Sequence, residues 1–304
     1  MRMSQQYVTL SDGARLYVKL LGGNKREKPL VIVLHGAPGL SSHAEPERSF
    51  GFLQDQFRVL VYDARGSGTS DQKLPYTDQR WVEDVDELRS WAGAENIILA
   101  GGSYGGFIAL QYALSHGNRL SALILRDTWP WGALSTLTVL KTILTSDRIS
   151  PNPDRQVRLW SGTLLDDEDF AEAYKEIVPM YAPKPPKTPK DAEAVADFEG
   201  EKATKRPENL HSATQNAAFS YNVPRFDVRD RLKDITAATL VVHGRHDLIV
   251  PIEYGKQISD GIPNARLVVF EHSGHSPPTD EPDAFKTSVK DFLSSIGLWV
   301  RVSD

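Results

Sequence analysis

The fold is decided by the stretch Asn96-Ile97-Ile98-Leu99-Ala100-Gly101-Gly102-Ser103-Tyr104-Gly105-Gly106. Its first half is a short, continuous apolar run, which is typical of a strand covered on both faces of a parallel sheet. The run ends in a G-x-S-x-G pattern centred on Ser103, and a helical pattern follows over residues 104–115. A serine on so tight a strand-to-helix turn has a strained backbone, and small residues two positions away on each side let the turn close. The pattern predicts that Ser103 is a nucleophile whose Oγ projects into a pocket at the positive end of a helix.

Five other apolar runs end in the same way, in loops rich in glycine, aspartate, histidine or serine. They are PLVIVLHGAPG (29–39), FRVLVYDARGSG (57–68), LSALILRDTW (120–129), ATLVVHGRHD (238–247) and ARLVVFEHSGH (265–275). Helical patterns lie between several of them, most clearly over residues 78–91, 251–258 and 281–296. Strands that alternate with helices imply βαβ units and a mainly parallel sheet, with ligands at the carboxyl ends of the strands. The loops of these runs lie at those ends.

Two segments depart from this alternation. Residues 7–23 alternate apolar and polar side chains on either side of Asp12-Gly13, which predicts a β-hairpin. Residues 131–235 contain no buried-strand run and are rich in charge and helix formers, so we expect a mostly helical lid over the strand ends. The proline-rich stretch APKPPKTPK (182–190) within them is interpreted as an extended surface loop.

Composition narrows the class of protein. The chain has 304 residues, 40% hydrophobic and 25% charged, with a net charge of −5 and no basic stripe that would suit nucleic acid. It has no cysteine, which excludes disulfides, thiolate metal sites and a cysteine nucleophile. No window reaches the roughly 18 apolar residues of a membrane helix, and the start MRMSQQYVTL lacks a signal-peptide core. We therefore expect a cytoplasmic protein without nucleic-acid or membrane partners.

We also expect no cofactor and no metal. The glycine-rich turn at residues 101–106 lacks the Walker lysine and the spacing of dinucleotide-binding loops. The histidines are scattered, and no pair has the usual ligand spacing on a shared helix. The sequence leaves the oligomeric state open.

Five motifs resemble those of the α/β-hydrolases and, within them, of the proline iminopeptidase branch. The motifs are His35-Gly36-Ala37-Pro38-Gly39, Asp63-Ala64-Arg65-Gly66-Ser67-Gly68, Gly101-Gly102-Ser103-Tyr104-Gly105-Gly106, Gly244-Arg245-His246-Asp247 and Ser273-Gly274-His275. The resemblance spans nearly all of residues 7–130 and 236–296. It implies an α/β-hydrolase fold, with a mostly parallel sheet flanked by helices and a mainly helical lid inserted after the sixth strand. The predicted domains are a core over 1–130 and 236–304 and a helical cap over 131–235.

The resemblance also implies the partners of Ser103. It places an acid after the run ATLVVHGRHD, which matches Asp247, and a histidine after the last strand, which matches His275. The order Ser, Asp, His agrees with the chain order of this fold. The positions are consistent with this, since both residues lie in loops at strand ends near the predicted nucleophile. His275 would take the Ser103 proton and deliver it to the leaving group, while Asp247 would hold the imidazole.

Each assignment has a rival. Asp127 also follows a strand, and we favour Asp247 because G-x-x-D after the penultimate strand fits more specifically. His272 lies nearer its strand than His275, which we favour. His243 lies within a strand and is interpreted as a core residue or a support of the site, and His35 as a brace of the loop that it begins.

The oxyanion hole should come from two backbone N–H groups. One belongs to Tyr104, the residue after the nucleophile, and the other is carried over from the H-G-x-P-G loop to Ala37. Arg65 in DARGSG could bind substrate, but we favour a structural role as a buried arginine.

The branch implies an aminopeptidase that removes an N-terminal proline or a similar small residue. Such an enzyme needs a carboxylate for the substrate ammonium, and the predicted lid supplies Glu172, Glu176, Glu199, Glu201 and Glu208. The stretch AAFSYNVPRF (217–226) lacks the acidic pattern of the best-defined members, so the anchor stays unassigned.

Aromatic residues near the lid edges suggest an alternative enzymatic activity for this protein. They are Trp129, Trp131, Trp160, Tyr181, Phe219 and Tyr221. Most would pack the lid on the core, and a few could line an apolar pocket for an ester, amide or lactone. The partner would thus be a small molecule or a short peptide. A third hypothesis is a ligand receptor of the same fold with little turnover, because fold does not prove function.

Overall fold

The computed structural model describes residues 4–23, 27–184 and 210–300. Its centre is one eight-stranded sheet in the order β1-β2-β4-β3-β5-β6-β7-β8. The strands are β1 Ser4–Thr9, β2 Arg15–Leu21, β3 Leu30–Leu34, β4 Arg58–Tyr62, β5 Ile97–Gly102, β6 Leu120–Arg126, β7 Thr239–Gly244 and β8 Ala265–Phe270. Strands β4, β3, β5, β6, β7 and β8 are parallel, as the continuous apolar runs predicted.

The antiparallel part of the sheet is the predicted hairpin. Strand β1 pairs with β2, and β2 pairs antiparallel with β4. Gly13 adopts a φ of +85° in the turn, and Asp12 Oδ1 accepts a hydrogen bond from the Ala14 N–H at 3.0 Å. Aspartate and glycine are thus used as the hairpin pattern requires.

Helices cover both faces of the sheet, which is why the central strands contain apolar residues without alternation. The helices are α1 Ala44–Phe50, α2 Asp78–Trp91, α3 Tyr104–Ser115, α4 Ala133–Thr145, α5 Pro153–Ser161, α6 Asp167–Ile177, α7 Ser212–Ala217, α8 Ile252–Gly261, α9 Pro277–Asp280 and α10 Pro282–Ser295. One apolar cluster packs α2, α3 and α8 on one face, and a second packs α1 and α10 on the other. The α/β-hydrolase fold with a mostly parallel sheet is therefore confirmed.

Helices α4 to α7 follow the sixth strand and form the lid. Asn152 Oδ1 caps α5 by accepting from the Arg155 N–H, and Asp166 caps α6 in the same way at Asp169. Between residues 131 and 235, the described residues contribute no strand to the sheet. Most of the proline-rich stretch, residues 185–190, lies outside the described residues.

The lid contacts both loops that were predicted to carry the chemistry. The His211 N–H donates to the Gly39 carbonyl at 2.9 Å, and the His275 N–H donates to the Tyr181 carbonyl at 2.9 Å. Gly39 has a φ of +76°, and a Cβ there would lie 2.3 Å from the His211 carbonyl oxygen. Only glycine fits at this contact.

None of the helices in the described ranges is long and apolar enough to cross a bilayer.

Candidate active site

The turn between β5 and α3 forces Ser103 into a rare conformation. Its φ is 52° and its ψ is −123°, which a side-chain-bearing residue seldom adopts. A Cβ on Gly101 would lie 2.3 Å from the Gly105 carbonyl oxygen, and a Cβ on Gly105 would lie 2.5 Å from that of His35. These two carbonyl oxygens leave no room for a side chain, which explains why the residues two positions before and after Ser103 are glycines.

Hydrogen bonds hold this strained turn in place. The Ser103 N–H donates to the Arg126 carbonyl at 2.9 Å, which joins the turn to the end of β6. The Ser103 carbonyl accepts from the Gly106 N–H at 2.9 Å and from Thr128 Oγ1 at 2.8 Å. The surrounding structure thus fixes the backbone from which the hydroxyl group projects.

Asp247 and His275, which are 28 positions apart, meet in a buried contact. Asp247 Oδ2 lies 2.7 Å from His275 Nδ1. The other carboxylate oxygen accepts from the N–H groups of Ile249 and Val250, each at 2.8 Å. These bonds orient the carboxylate, which holds the imidazole through Nδ1.

The His275 backbone is fixed from two sides. Its carbonyl accepts from Arg126 Nη1 at 3.3 Å, and its N–H donates to the lid at Tyr181. The Tyr181 ring also meets the imidazole edge-on, with ring centroids 5.1 Å apart. The predicted base is therefore held by the core and by the lid together.

Ser103 and His275 line the same space, which we call the polar cavity. Its walls also include Gly36, Ala37, Leu40, Ser41, Glu45, Arg126, Tyr174 and Tyr181. Arg126 and Glu45 form an ion pair in this wall, with Arg126 Nη2 2.8 Å from Glu45 Oε1. The sequence patterns did not identify this pair, because α1 and β6 come together only in the folded chain.

The rival acid Asp127 lies beside the pair. Its Oδ1 accepts from the Gly244 N–H at 2.9 Å, while its Oδ2 has no hydrogen-bond partner among the described residues. Burial, and then the neighbouring Asp247 carboxylate, raise the pKa of Asp127 well above its ordinary value of 3.8. The surroundings of Asp127 therefore favour its protonated form, and it lies next to the carboxylate that contacts the histidine.

The other histidines have separate partners. His272 is exposed, and its backbone N–H donates to Glu281 Oε2 at 2.9 Å. His243 is buried in β7 with Nε2 2.6 Å from the Val250 carbonyl, as expected for a core residue. His35 Nε2 accepts from the Ala64 N–H at 2.9 Å, and Nδ1 faces the Gly36 carbonyl at 2.9 Å. His35 therefore braces the loop that it begins, as predicted.

One buried group has the composition of a metal site. Oxygen or nitrogen atoms of Asp127, His243 and Asp247 lie within 4.8 Å of one another. However, both Asp247 oxygens accept hydrogen bonds, and His243 Nε2 contacts the Val250 carbonyl. Most of the donor atoms are already used, so these residues do not fit a metal ion.

The two predicted oxyanion donors border the nucleophile. Ala37 lines the polar cavity with Ser103, and Tyr104 is the first residue of α3, where the N–H has no carbonyl of its own helix to bind. A Cβ on Gly36 would lie 3.3 Å from Ser103 Cβ, so the loop before Ala37 passes close to the nucleophile.

Arg65 has the structural role that we favoured. Its guanidinium is fully buried and binds both Asp84 oxygens at 2.9 Å. Its Nη1 lies 2.7 Å from Asp12 Oδ2 in the hairpin turn. Arg65 thus joins α2 to the β1–β2 hairpin and does not line the polar cavity.

A second space, the apolar cavity, adjoins the polar cavity through shared walls. The two share Ala37, Leu40, Ser103, Tyr174 and Tyr181. Its other walls are Tyr104, Phe107, Trp129, Leu159, Trp160, Phe170, Ile177, Gln215, Phe219 and Ile249. Four of the six aromatic residues singled out in the sequence are therefore in its walls.

The other two aromatic residues lie elsewhere. The Arg229 guanidinium stacks 3.7 Å from the Trp131 ring centroid. Tyr221 is half exposed under Arg225.

Of the five lid glutamates considered as anchors for the ammonium, the structure describes Glu172 and Glu176, and neither lines the polar or the apolar cavity. Glu176 Oε2 accepts from Gln156 Nε2 at 2.9 Å, and Glu172 lies 3.6 Å from Lys175 on the lid surface. The remaining three, Glu199, Glu201 and Glu208, lie outside the described residues.

Comparison with known proteins places the chain among hydrolases. It matches the sequence model of the alpha/beta hydrolase fold over residues 29–282. It is 32% identical over 295 residues to proline iminopeptidase PfmaB of Pestalotiopsis fici, covering 93% of this chain and 97% of that protein. It is 29% identical over 275 residues to the 2-hydroxy-6-oxo-6-phenylhexa-2,4-dienoate hydrolase of Comamonas testosteroni, covering 88% of each.

A solved structure agrees with these relatives. A hydrolase from Pseudomonas aeruginosa PA01 superposes with a TM-score of 0.72 at 26% identity, covering 95% of this chain and 98% of that one. The family match extends over most of the chain and includes both the serine turn and the loops of Asp247 and His275. This chain belongs to the α/β-hydrolase family.

Proposed function

We propose that this protein is a serine hydrolase that cleaves an acyl bond through an acyl-enzyme, with Ser103, Asp247 and His275 as its triad. The observation that carries the proposal is the 2.7 Å contact between Asp247 and His275, because this histidine shares a cavity wall with a strained, turn-borne serine. Together these residues supply a nucleophile, a base and an acid that orients the base.

The reaction follows from these roles. Ser103 Oγ attacks the substrate carbonyl carbon while its proton passes to His275 Nε2. The tetrahedral intermediate collapses, the bond to the leaving group breaks, and the leaving group takes that proton from His275. A water molecule then repeats the sequence on the acyl-enzyme and releases the acid. The Ala37 and Tyr104 N–H groups would stabilise the oxyanion, a term worth about two to three powers of ten per donor.

The walls of the apolar cavity favour an uncharged substrate. No charged side chain lines it within the described ranges. The carboxylate of the polar cavity, Glu45, is neutralised by Arg126 at 2.8 Å. Burying an unpaired ammonium in such walls would be costly. The site therefore suits a neutral carboxylic ester, amide or lactone with an uncharged acyl part.

The direct test is Ser103→Ala. We expect this variant to fold normally and to lose at least about three powers of ten in kcat on para-nitrophenyl butyrate. An organophosphorus reagent should add one adduct to the wild type and none to the variant, as read by intact mass. Retained activity in the variant would overturn the triad. Stoichiometric labelling without multiple turnover would instead indicate a ligand receptor.

An aminopeptidase is the second candidate, and the relative at 32% identity favours it. Prolyl and alanyl para-nitroanilides, each with a free or an N-acetylated amino group, separate the two functions. An aminopeptidase would cleave only the free-amine forms, because it must bind the ammonium. A hydrolase of neutral substrates would accept the acetylated forms at least as well.

A further inference from the structure

Gln215 is an unusual residue for the place it occupies. It lies on lid helix α7 and is only 4% exposed, yet it lines the apolar cavity among aliphatic and aromatic side chains. Its side-chain Oε1 has no hydrogen-bond partner in the described part of the chain. Native proteins pair nearly all such groups, because an unpaired buried amide oxygen loses its hydration without compensation.

Two tryptophans of the same cavity share this property. The indole N–H groups of Trp129 and Trp160 are buried, and neither has an acceptor among the described residues. Trp160 comes from lid helix α5, whereas Trp129 follows β6 in the core. Three elements thus contribute to the walls of the apolar cavity uncharged side chains with one acceptor and two donors, and the described part of the chain supplies no partner for any of the three.

We propose that Gln215, with Trp129 and Trp160, recognises a secondary amide in the acyl part of an uncharged substrate. This inference rests on the proposed hydrolase function and names its substrate class. The amide N–H donates to Gln215 Oε1, and the amide carbonyl accepts from an indole N–H.

A secondary amide fits these walls better than the simpler alternatives. Its donor and acceptor point to opposite sides of one planar group, so it can satisfy groups on different walls at once. It is neutral, as walls without charged side chains require. A plain alkyl chain would bury all three polar groups unpaired, and a free ammonium offers donors but no acceptor for the indoles.

The selectivity should follow the rule for sites built around hydrogen bonds. Such a site discriminates strongly against a substrate analogue that lacks the hydrogen-bonding group. The effect is larger than the discrimination of an apolar pocket between substrates that differ by one methylene group. We therefore expect wild-type kcat/KM to be at least about tenfold higher for an ester with an amide in its acyl chain than for the alkyl ester of equal length.

The experiment compares the para-nitrophenyl esters of acetamidobutyrate and heptanoate, whose chains have the same length. In Gln215→Met, which removes the amide and keeps the shape, kcat/KM for the acetamidobutyrate ester should fall at least about tenfold and that for heptanoate should stay within about twofold. Trp160→Phe should also lower kcat/KM for the acetamidobutyrate ester relative to kcat/KM for the heptanoate ester. Gln79→Met, the same exchange at an exposed site on α2, is the control and should leave both values unchanged.

A stability measurement separates recognition from a structural role. Because the described residues supply no partner for Oε1, Gln215→Met should keep or raise the melting temperature. A wild type with no preference for the amide ester, or a Gln215→Met variant that loses both activities equally, would overturn the inference and leave the serine hydrolase intact. A wild type inactive on both esters would overturn the proposed function and, with it, this inference.

Discussion

Two neighbouring aspartates, Asp127 and Asp247, lie behind the imidazole of His275. Asp247 has three hydrogen bonds and contacts the ring, whereas Asp127 has an oxygen without a partner in the described residues and a raised pKa. An acid that must stabilise a positive imidazolium has to be ionised. The hydrogen bonds to Asp247 and its contact with the imidazole therefore support our proposal that Asp247 is the acid of the triad.

Matched amide replacements test this assignment. Asp247→Asn should lower kcat about 10³- to 10⁴-fold, because the amide cannot hold the same tautomer of His275. Asp127→Asn should keep most of the activity, since an amide resembles the neutral acid and can still accept from the Gly244 N–H. Steady-state kinetics on one ester is sufficient, and equal losses in both variants would contradict the assignment.

The raised pKa of Asp127 also predicts how the stability difference between the wild type and Asp127→Asn depends on pH. The folded pKa of Asp127 exceeds its ordinary value of 3.8, so the native state binds more protons above that pH. Stability must then fall as pH rises toward the folded pKa. Asp127→Asn removes this titration. Urea unfolding should therefore show the wild type losing stability relative to Asp127→Asn as the pH rises above about 3.8, the ordinary pKa of the carboxyl group.

At the scale of elements, Tyr104 at the start of helix α3 contributes both to the proposed oxyanion hole and to a buried hydrogen-bond network. Tyr104 offers its backbone N–H to the proposed oxyanion hole, while its hydroxyl donates to Asp78 Oδ1 at 2.6 Å on α2. Gln111 Nε2 donates to the other Asp78 oxygen at 2.8 Å, and the Asp78 N–H donates to Asn222 of the lid. Burial raises the pKa of Asp78, and the bonds from Tyr104 and Gln111 oppose that rise.

Tyr104→Phe should separate the two functions. The variant leaves Asp78 with one donor fewer in a buried site, so the free energy of unfolding should fall by about 1–3 kcal/mol. The kcat should change little, because the backbone N–H is unaltered. Tyr7→Phe, at a half-exposed hydroxyl, is the control for urea unfolding. A large loss of kcat without loss of stability would mean that the Tyr104 side chain takes part in the reaction.

The helices and strands also show how much of the fold and of the candidate site could be predicted from the sequence. Local rules sufficed for the strands, the hairpin and the serine turn, because apolar runs, Asp-Gly and small residues act over a few positions. They placed helix α8 at residues 251–258, where the structure has Ile252–Gly261, and did not predict the short helix Pro277–Asp280. Gln215 and the Arg126–Glu45 pair were missed, because their roles depend on contacts between elements far apart in sequence.

At the scale of the whole molecule, the lid is attached to the loop of the proposed base. Arg148, in the lid after α4, donates from Nη1 to the Ala182 carbonyl at 2.6 Å and to the Pro179 carbonyl at 3.3 Å. Between these two, the Tyr181 carbonyl accepts from the His275 N–H at 2.9 Å. One lid arginine thereby holds the chain segment that positions His275.

Arg148→Met should therefore reduce catalysis from a distance. Loss of these bonds lets the segment around Tyr181 shift, and a small misplacement of a catalytic group can cost up to about 10²-fold in rate. We expect kcat to fall about tenfold or more while KM for a small ester changes little. Arg225→Met removes a similar arginine-to-carbonyl bond at an exposed lid site and should leave kcat unchanged. If both variants behaved alike, the lid would only cover the site, and His275 would be positioned by the core alone.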